Sequence, residues 1–284
     1  MVRRHLLKKF IRKYHEAGFG AGLKATFAFL VYEFIRQAGI INLIIDKHRG
    51  VLSDQMIKRF GATVRYGPFK GLKLADNMWH GGRDRASMLL GLYEQEVLNC
   101  LAEISPRYKT FVDIGAADGY YGIGVLVGNL FAEAYCYEIS SEAREIMKKN
   151  AKLNGVADRI HIKGAARCGF WRDFQSSELN QAVFLIDIEG GEFDLLDKTA
   201  FAALKDCIII IELHDSFFRD GHLRLTKLIE AATQSHTMIK FETSGRDLAN
   251  IEEVRSLNDA ERGLICSEGR PSLMGWLRLD PKES

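Results

Sequence analysis

Two hydrophobic periods alternate along this chain, and the places where one gives way to the other divide it. Leu6, Leu7, Phe10, Ile11 and Tyr14 recur at helical spacing between Arg3, Arg4, Lys8, Arg12 and Lys13, which predicts an amphipathic helix ending near Gly18-Phe19-Gly20. A second helical stretch runs from about Leu23 to Gln37, and residues 1–50 as a whole read as helical. Between Ala62 and Ala75 the period falls to two, in Thr63-Val64-Arg65-Tyr66 and Leu72-Lys73-Leu74 with Gly67-Pro68 between them, a β-hairpin pattern. Helical spacing returns from Ser87 to Glu103 through Leu89, Leu90, Tyr93, Val97, Leu98 and Leu101, and Pro106 marks its end.

Beyond residue 110 short apolar runs alternate with helical segments. The runs are Phe111-Val112-Asp113-Ile114, Ala134-Tyr135-Cys136-Tyr137, Ile160-His161-Ile162, Val183-Phe184-Leu185-Ile186 and Cys207-Ile208-Ile209-Ile210-Ile211, with later strands near Met238–Phe241 and Trp276–Leu279. Unbroken apolar strands separated by helices specify a parallel sheet covered on both faces. Ser140 caps one intervening helix, which carries Glu142 in its first turn and stops at Asn154-Gly155. Another opens at Gly191-Glu192, and a third spans about His222 to Thr233. The expected fold class is therefore α/β, a mostly parallel sheet with helices on both faces, preceded by a helical and hairpin extension. We place the boundary between residues 1–86 and 87–284.

Composition narrows the class. With 47% hydrophobic and 27% charged residues in 284, the chain is globular. Its net charge of +2 conceals a split, because residues 1–50 hold ten Lys and Arg against Glu16, Glu33 and Asp46. The first segment thus carries +7 and the remainder −5. Five scattered cysteines without a CxxC or Cys/His cluster fit a reduced, cytoplasmic compartment and no zinc site, and Cys136 and Cys207 fall inside expected strands as core residues. Lys24, Glu33, Arg36 and Asp46 interrupt the most apolar region before it reaches the length of a membrane span, and no signal-peptide pattern is present.

The chemistry concentrates at Phe111-Val112-Asp113-Ile114-Gly115-Ala116-Ala117-Asp118-Gly119-Tyr120-Tyr121. A buried strand runs into a turn of tiny residues and then a helix, which lets a ligand approach the backbone at the strand's carboxyl end. The next strand ends at Glu138, where a carboxylate can accept both hydroxyls of an adenosine ribose. A dinucleotide site calls for G-x-G-x-x-G. Here the spacing is G-x-x-x-G, and Asp118 would repel a pyrophosphate. S-adenosylmethionine has no phosphate and carries cationic sulfonium and ammonium groups, so Asp113 and Asp118 suit it on charge grounds.

These residues resemble those of S-adenosylmethionine-dependent methyltransferases, whose pattern of a hydrophobic-flanked Asp, Gly-x-x-x-Gly and a later strand-end acid is matched by Asp113, Gly115, Gly119 and Glu138. More specifically, Ile186-Asp187-Ile188-Glu189-Gly190-Gly191-Glu192 and Ile209-Ile210-Ile211-Glu212-Leu213-His214 resemble successive signatures of the FkbM family of O-methyltransferases. The similarity covers roughly residues 110–245. It departs at Ala117, where that family commonly has asparagine. Weaker similarity at Gly67–Gly71 and Leu92-Tyr93-Glu94 makes Tyr93 and Glu94 pocket neighbours. The resemblance implies a Rossmann-like class I methyltransferase fold and O-methylation of a sugar, glycan or other small molecule. It carries cofactor binding onto Asp113, Gly115, Ala116, Asp118, Gly119, Glu138, Asp187 and Glu189.

Period-two alternation puts Asp187 with Glu189, and Glu212 with His214, on one side of neighbouring strands. A hydroxyl is a poor nucleophile until its proton is withdrawn, which calls for a base or a metal. His214 is the candidate base, and Asp187, Glu212 or Glu189 could orient it or bind Mg²⁺ instead. Glu192 is expected to complement the dipole of its own helix. The basic N-terminal helix could meet an anionic membrane surface or a partner protein, or simply pack with its cations solvated. No nucleic-acid partner is expected, because a basic stripe with interleaved aromatics is missing elsewhere and the fourth strand lacks an (Asn/Asp)-Pro-Pro-(Tyr/Phe) ending. Methylation of a protein or RNA, and a non-catalytic scaffold on the same fold, are the rival readings.

Overall fold

The computed structural model describes residues 40–76, 78, 79, 82–180, 182–270 and 274–282. The helices expected within residues 1–37 lie outside them. The chain divides into two units between His48 and Arg49. Residues 40–48 of the first are described and are helical. The unit Arg49–Ser284 carries the sheet.

Seven strands form that sheet: β1 (Thr110–Ile114), β2 (Glu133–Tyr137), β3 (Ile160–Lys163), β4 (Ala182–Ile186), β5 (Ile208–Glu212), β6 (His236–Glu242) and β7 (Gly275–Pro281). Their order is β3-β2-β1-β4-β5-β7-β6. β1 to β5 pair in parallel, while β7 runs antiparallel to both β5 and β6. All seven expected strands are present. Cys207, expected within β5, instead stands just before it and is buried.

The unbroken apolar runs follow from burial on both faces. Phe111, Val183, Leu185, Ile208 and Ile210 enter one hydrophobic cluster, and Val112, Ile114, Phe184, Ile186, Ile209 and Ile211 enter the other. Successive side chains alternate between faces, so the central strands are apolar on both sides and show no period-two alternation. This is the mostly parallel, Rossmann-like α/β sheet expected from the sequence.

Three elements depart from their sequence pattern. The helix expected over 87–103 is two, Arg85–Leu89 and Gln95–Ile104, parted by a turn in which Glu94 takes a left-handed conformation (φ 44°). The helix opening at Gly191 is also two, Glu192–Leu195 and Lys198–Ala203, because the Asp197 side chain accepts the Ala200 N–H at 2.8 Å and starts a new helix. The hairpin contracts to a single bridge between Thr63 and Lys73, flanked by the bonds Val64 N–H to Leu72 O and Leu74 N–H to Ala62 O. Elsewhere the sequence reading of element ends is close: Ser140 Oγ caps the helix Ser141–Leu153.

The position 86/87 lies inside the unit Arg49–Ser284. Leu52, Met56, Val64, Phe69 and Leu72 belong to the same hydrophobic cluster as Leu98, Leu101 and the sheet. The Phe69 ring lies flat enough on the helix Tyr120–Val127 that a Cβ on Gly124 would come within 2.3 Å of it. Among the described residues, no helix is long and apolar enough to cross a membrane.

Candidate functional site

The turn after β1 is held from both sides. Gly115 (φ 95°) presses against the start of the loop after β4 so closely that a Cβ there would lie 1.8 Å from the Asp187 carbonyl oxygen. The N–H groups of Gly115 and Ala116 both donate to Tyr137 O, at 2.9 and 3.0 Å. Ala117 is left-handed (φ 47°), a conformation asparagine tolerates better, and its N–H donates to Glu138 Oε2 at 2.9 Å. Glu138 Oε1 accepts the Ser140 N–H at 2.6 Å. Two backbone donors therefore fix this carboxylate at the tip of β2, with acceptor capacity to spare.

A cavity of about 670 Å³ opens beside the turn, at the carboxyl ends of the parallel strands. Of the expected cofactor residues, Gly115, Glu138, Asp187 and Glu189 line it, together with Ala117. Asp113, Ala116, Asp118 and Gly119 do not; they shape the turn from behind. Asp113 is buried beneath it, accepting the Gly122 N–H at 3.2 Å, and burial pushes its carboxyl up to about 7. Asp118 accepts the Trp79 N–H through its side chain at 3.1 Å and the Asn150 amide through its carbonyl at 2.9 Å. Gly119 donates to Ala116 O and begins the helix Tyr120–Val127.

The expected catalytic residues Asp187, Glu212 and His214 do converge, with one donor atom of each within 4.8 Å of the others. His214 is 2% exposed. Its Nδ1 faces Glu192 Oε1 at 3.2 Å, and the same oxygen accepts the His214 backbone N–H. Since a carboxylate only accepts, Nδ1 carries a proton and Nε2 turns to the cavity. There it meets Asp187 Oδ1 and Glu189 Oε2, each at 3.6 Å, and Glu212 Oε2 at 3.7 Å. Burial pulls the imidazole pKa down, but the Glu192 hydrogen bond and the surrounding carboxylates outweigh it and leave it raised. Burial, followed by the charge of Glu212, holds Asp187 well above the usual carboxylate range.

Glu192 corrects the sequence reading. It is fully buried, and rather than serving only its helix it binds the Gly190 N–H at 2.9 Å and orients His214. The left-handed backbone of Glu189 (φ 52°) sets its carboxylate opposite the ring.

Sequence reasoning missed Arg270. Its guanidinium donates to Glu94, Glu212 and Glu268, with the Nε bond to Glu268 at 2.9 Å. Glu94, on the left-handed turn, also accepts the Tyr121 hydroxyl, and burial pushes it up to about 8 against the opposing pull of Arg270. The weaker similarity around Leu92-Tyr93-Glu94 pointed to this turn, and both Tyr93 and Glu94 line the cavity. Nothing around Arg270 has a periodic pattern that could have flagged it. Altogether seven carboxylates line the cavity, those above with Asp84, against Arg83, Arg270 and His214. Carboxyl groups thus outnumber cationic side chains around the cavity.

No family model matches the chain. Among solved structures it is similar to cofactor-bound Rv0187 from MTB, at 11% identity over 67% of this chain and 81% of that one, with a TM-score of 0.47. An O-methyltransferase from Bacillus cereus in complex with SAH matches at 14% identity over 68% and 80% of the two chains, with a TM-score of 0.44. The tRNA methyltransferase TrmK of Bacillus subtilis matches at 10% identity over 65% of each chain, with a TM-score of 0.43.

Proposed function

We propose that the protein is an S-adenosylmethionine-dependent O-methyltransferase of the FkbM type, acting on a hydroxyl of a sugar, glycan or comparable small molecule. The observation that carries this reading is the joining, in one acidic cavity, of a glycine turn braced by Glu138 to the cluster Asp187, Glu212 and His214. Glu138 is fixed to accept ribose hydroxyls, and Tyr137, Ile139, Ala165 and Ala166 offer an apolar slot beside it for the adenine. The sulfonium and ammonium groups then face carboxylates.

The same cavity is lined by Trp79, Tyr93 and Phe217 among carboxylates and Arg270. Aromatic faces mixed with fixed polar groups suit a polyol ring. A polyanionic nucleic acid would meet a field of its own sign. In the reaction the acceptor oxygen forms its bond to the methyl carbon as the carbon–sulfur bond breaks. The electron pair stays on sulfur, and the hydroxyl proton passes to the Asp187–Glu212–His214 cluster. Alignment of oxygen, carbon and sulfur supplies most of the acceleration.

Titration calorimetry tests the cofactor half. Wild type should bind S-adenosylmethionine, and Glu138→Ala should bind it about tenfold more weakly, as expected for losing charged hydrogen bonds. No binding by wild type would sink the methyltransferase reading, and preferential binding of NAD would replace it with a dehydrogenase. For the reacting end, His214→Ala should keep cofactor affinity and lose turnover by about 100-fold or more. Unchanged turnover would remove His214 from the chemistry.

A further inference from the structure

Nε2 of His214 has an unusual surrounding. The side chain is 2% exposed and its Nδ1 is committed to Glu192, yet among the described residues Nε2 makes no hydrogen bond. Three carboxylate oxygens surround it at 3.6, 3.6 and 3.7 Å. These separations exceed the roughly 2.7–3.2 Å of an N–H···O bond. They instead match two donors sharing one ion, since ligands about 2.1 Å from a tetrahedral metal stand about 3.4 Å apart.

A second observation points the same way. Asp187 Oδ1 is buried without a hydrogen-bond partner, beside the Glu212 carboxylate and facing Nε2. Carboxyl groups brought together in this way are costly unless a shared proton or a cation joins them, and the imidazole beside them supplies a ligand for the second. The tautomer is also the one a metal requires, because the carboxylate of Glu192 holds the proton on Nδ1 and leaves the Nε2 lone pair aimed at the cluster. Arg270 restrains the other oxygen of Glu212, so Oε2 remains the one turned inward.

We propose that Asp187 Oδ1, Glu212 Oε2 and His214 Nε2 form a binding site for one divalent cation, with Glu189 closing it on the solvent side and Glu192 as the orienting partner. The imidazole selects a first-row transition ion of the Mn²⁺ or Zn²⁺ class over Mg²⁺, which prefers oxygen alone and keeps its waters. The site rests on the methyl-transfer reading for its use, since such an ion would draw the acceptor hydroxyl to the cluster, but not for its occupancy.

The experiment uses the full chain, stripped with a chelator and titrated with Mn²⁺ while free Mn²⁺ is followed by electron paramagnetic resonance. One Mn²⁺ should bind per chain, with Mg²⁺ competing poorly. His214→Ala should abolish binding, and Glu192→Gln should weaken it about 10- to 100-fold. Glu189 is 72% exposed at its side chain, so Glu189→Gln should fold normally and still bind more weakly. Circular dichroism on each variant separates lost ligands from lost folding. Absence of stoichiometric Mn²⁺ binding, or equal binding by well-folded Glu189→Gln and His214→Ala, overturns the site. Calorimetry with S-adenosylmethionine on the same samples keeps the two readings apart. Cofactor binding without Mn²⁺ removes the cation site alone, and Mn²⁺ binding without cofactor removes the methyltransferase alone.

Discussion

Asp113 was legible as a residue of the glycine turn, but the direction of its carboxyl was not. The hydrophobic-flanked Asp before Gly115 marks the turn, but its carboxyl sits beneath the turn with a single donor, the Gly122 N–H. Strand alternation could not reveal this, because every residue of β1 is buried and no exposed face sets the inward side apart. The consequence is a pH dependence. Burial holds Asp113 at about 7 when folded, against an ordinary carboxylate when unfolded. The unfolded chain therefore loses this proton first as pH rises, and stability falls between about pH 4 and pH 7 and levels off above. Asp113→Asn, whose amide oxygen can still accept from Gly122, should remove that loss. Thermal melts should show little difference from wild type near pH 4.5 and a more stable variant at pH 8, by on the order of 2–4 kcal/mol. A gap that does not widen with pH would mean that Asp113 ionises freely in the folded protein.

At the scale of elements, what was legible is what periodicity encodes. Seven strands and the capped helix Ser141–Leu153 stand where apolar runs and Ser140 put them. The turns that line the cavity were not, because left-handed residues such as Glu94 and Glu189 obey no period and only tertiary contacts hold them. The segment before β7 is the extreme case. Arg270, in irregular backbone, is 20% exposed at its side chain and joins Glu94 on one helix start, Glu212 at the tip of β5 and Glu268 on its own loop. Arg270→Ala would leave three carboxylates, nearly buried, without their shared cation, a loss on the order of 3–5 kcal/mol. Arg270→Lys keeps the charge but cannot fork to three partners, so it should recover only part of the loss. Denaturant unfolding of both variants measures this. A wild-type midpoint in Arg270→Ala would show the guanidinium to be a surface charge.

At the scale of the molecule, the sequence split by charge and the structure splits by packing, and the two divisions differ. The charge asymmetry falls at residue 50, close to the parting between His48 and Arg49, whereas the helical period after the hairpin put the domain start at residue 87. Packing favours the earlier point. Leu52, Met56, Val64, Phe69 and Leu72 are each at most 5% exposed and share one cluster with the sheet. Phe69 covers Gly124, on the helix that begins at the end of the glycine turn, so the hairpin supports that turn from outside the cavity. Removing it would uncover that helix and forfeit about 1.5–3 kcal/mol for each large apolar side chain, more in total than most domains hold in reserve. A chain of residues 49–284 should therefore unfold cooperatively and bind S-adenosylmethionine with the affinity of the full protein. A chain of residues 87–284 should be insoluble or molten, with near-ultraviolet circular dichroism lost and no cofactor bound. If the shorter chain folds and binds as well as the longer, the hairpin is an appendage and the domain begins where the helical period near Ser87 first placed it.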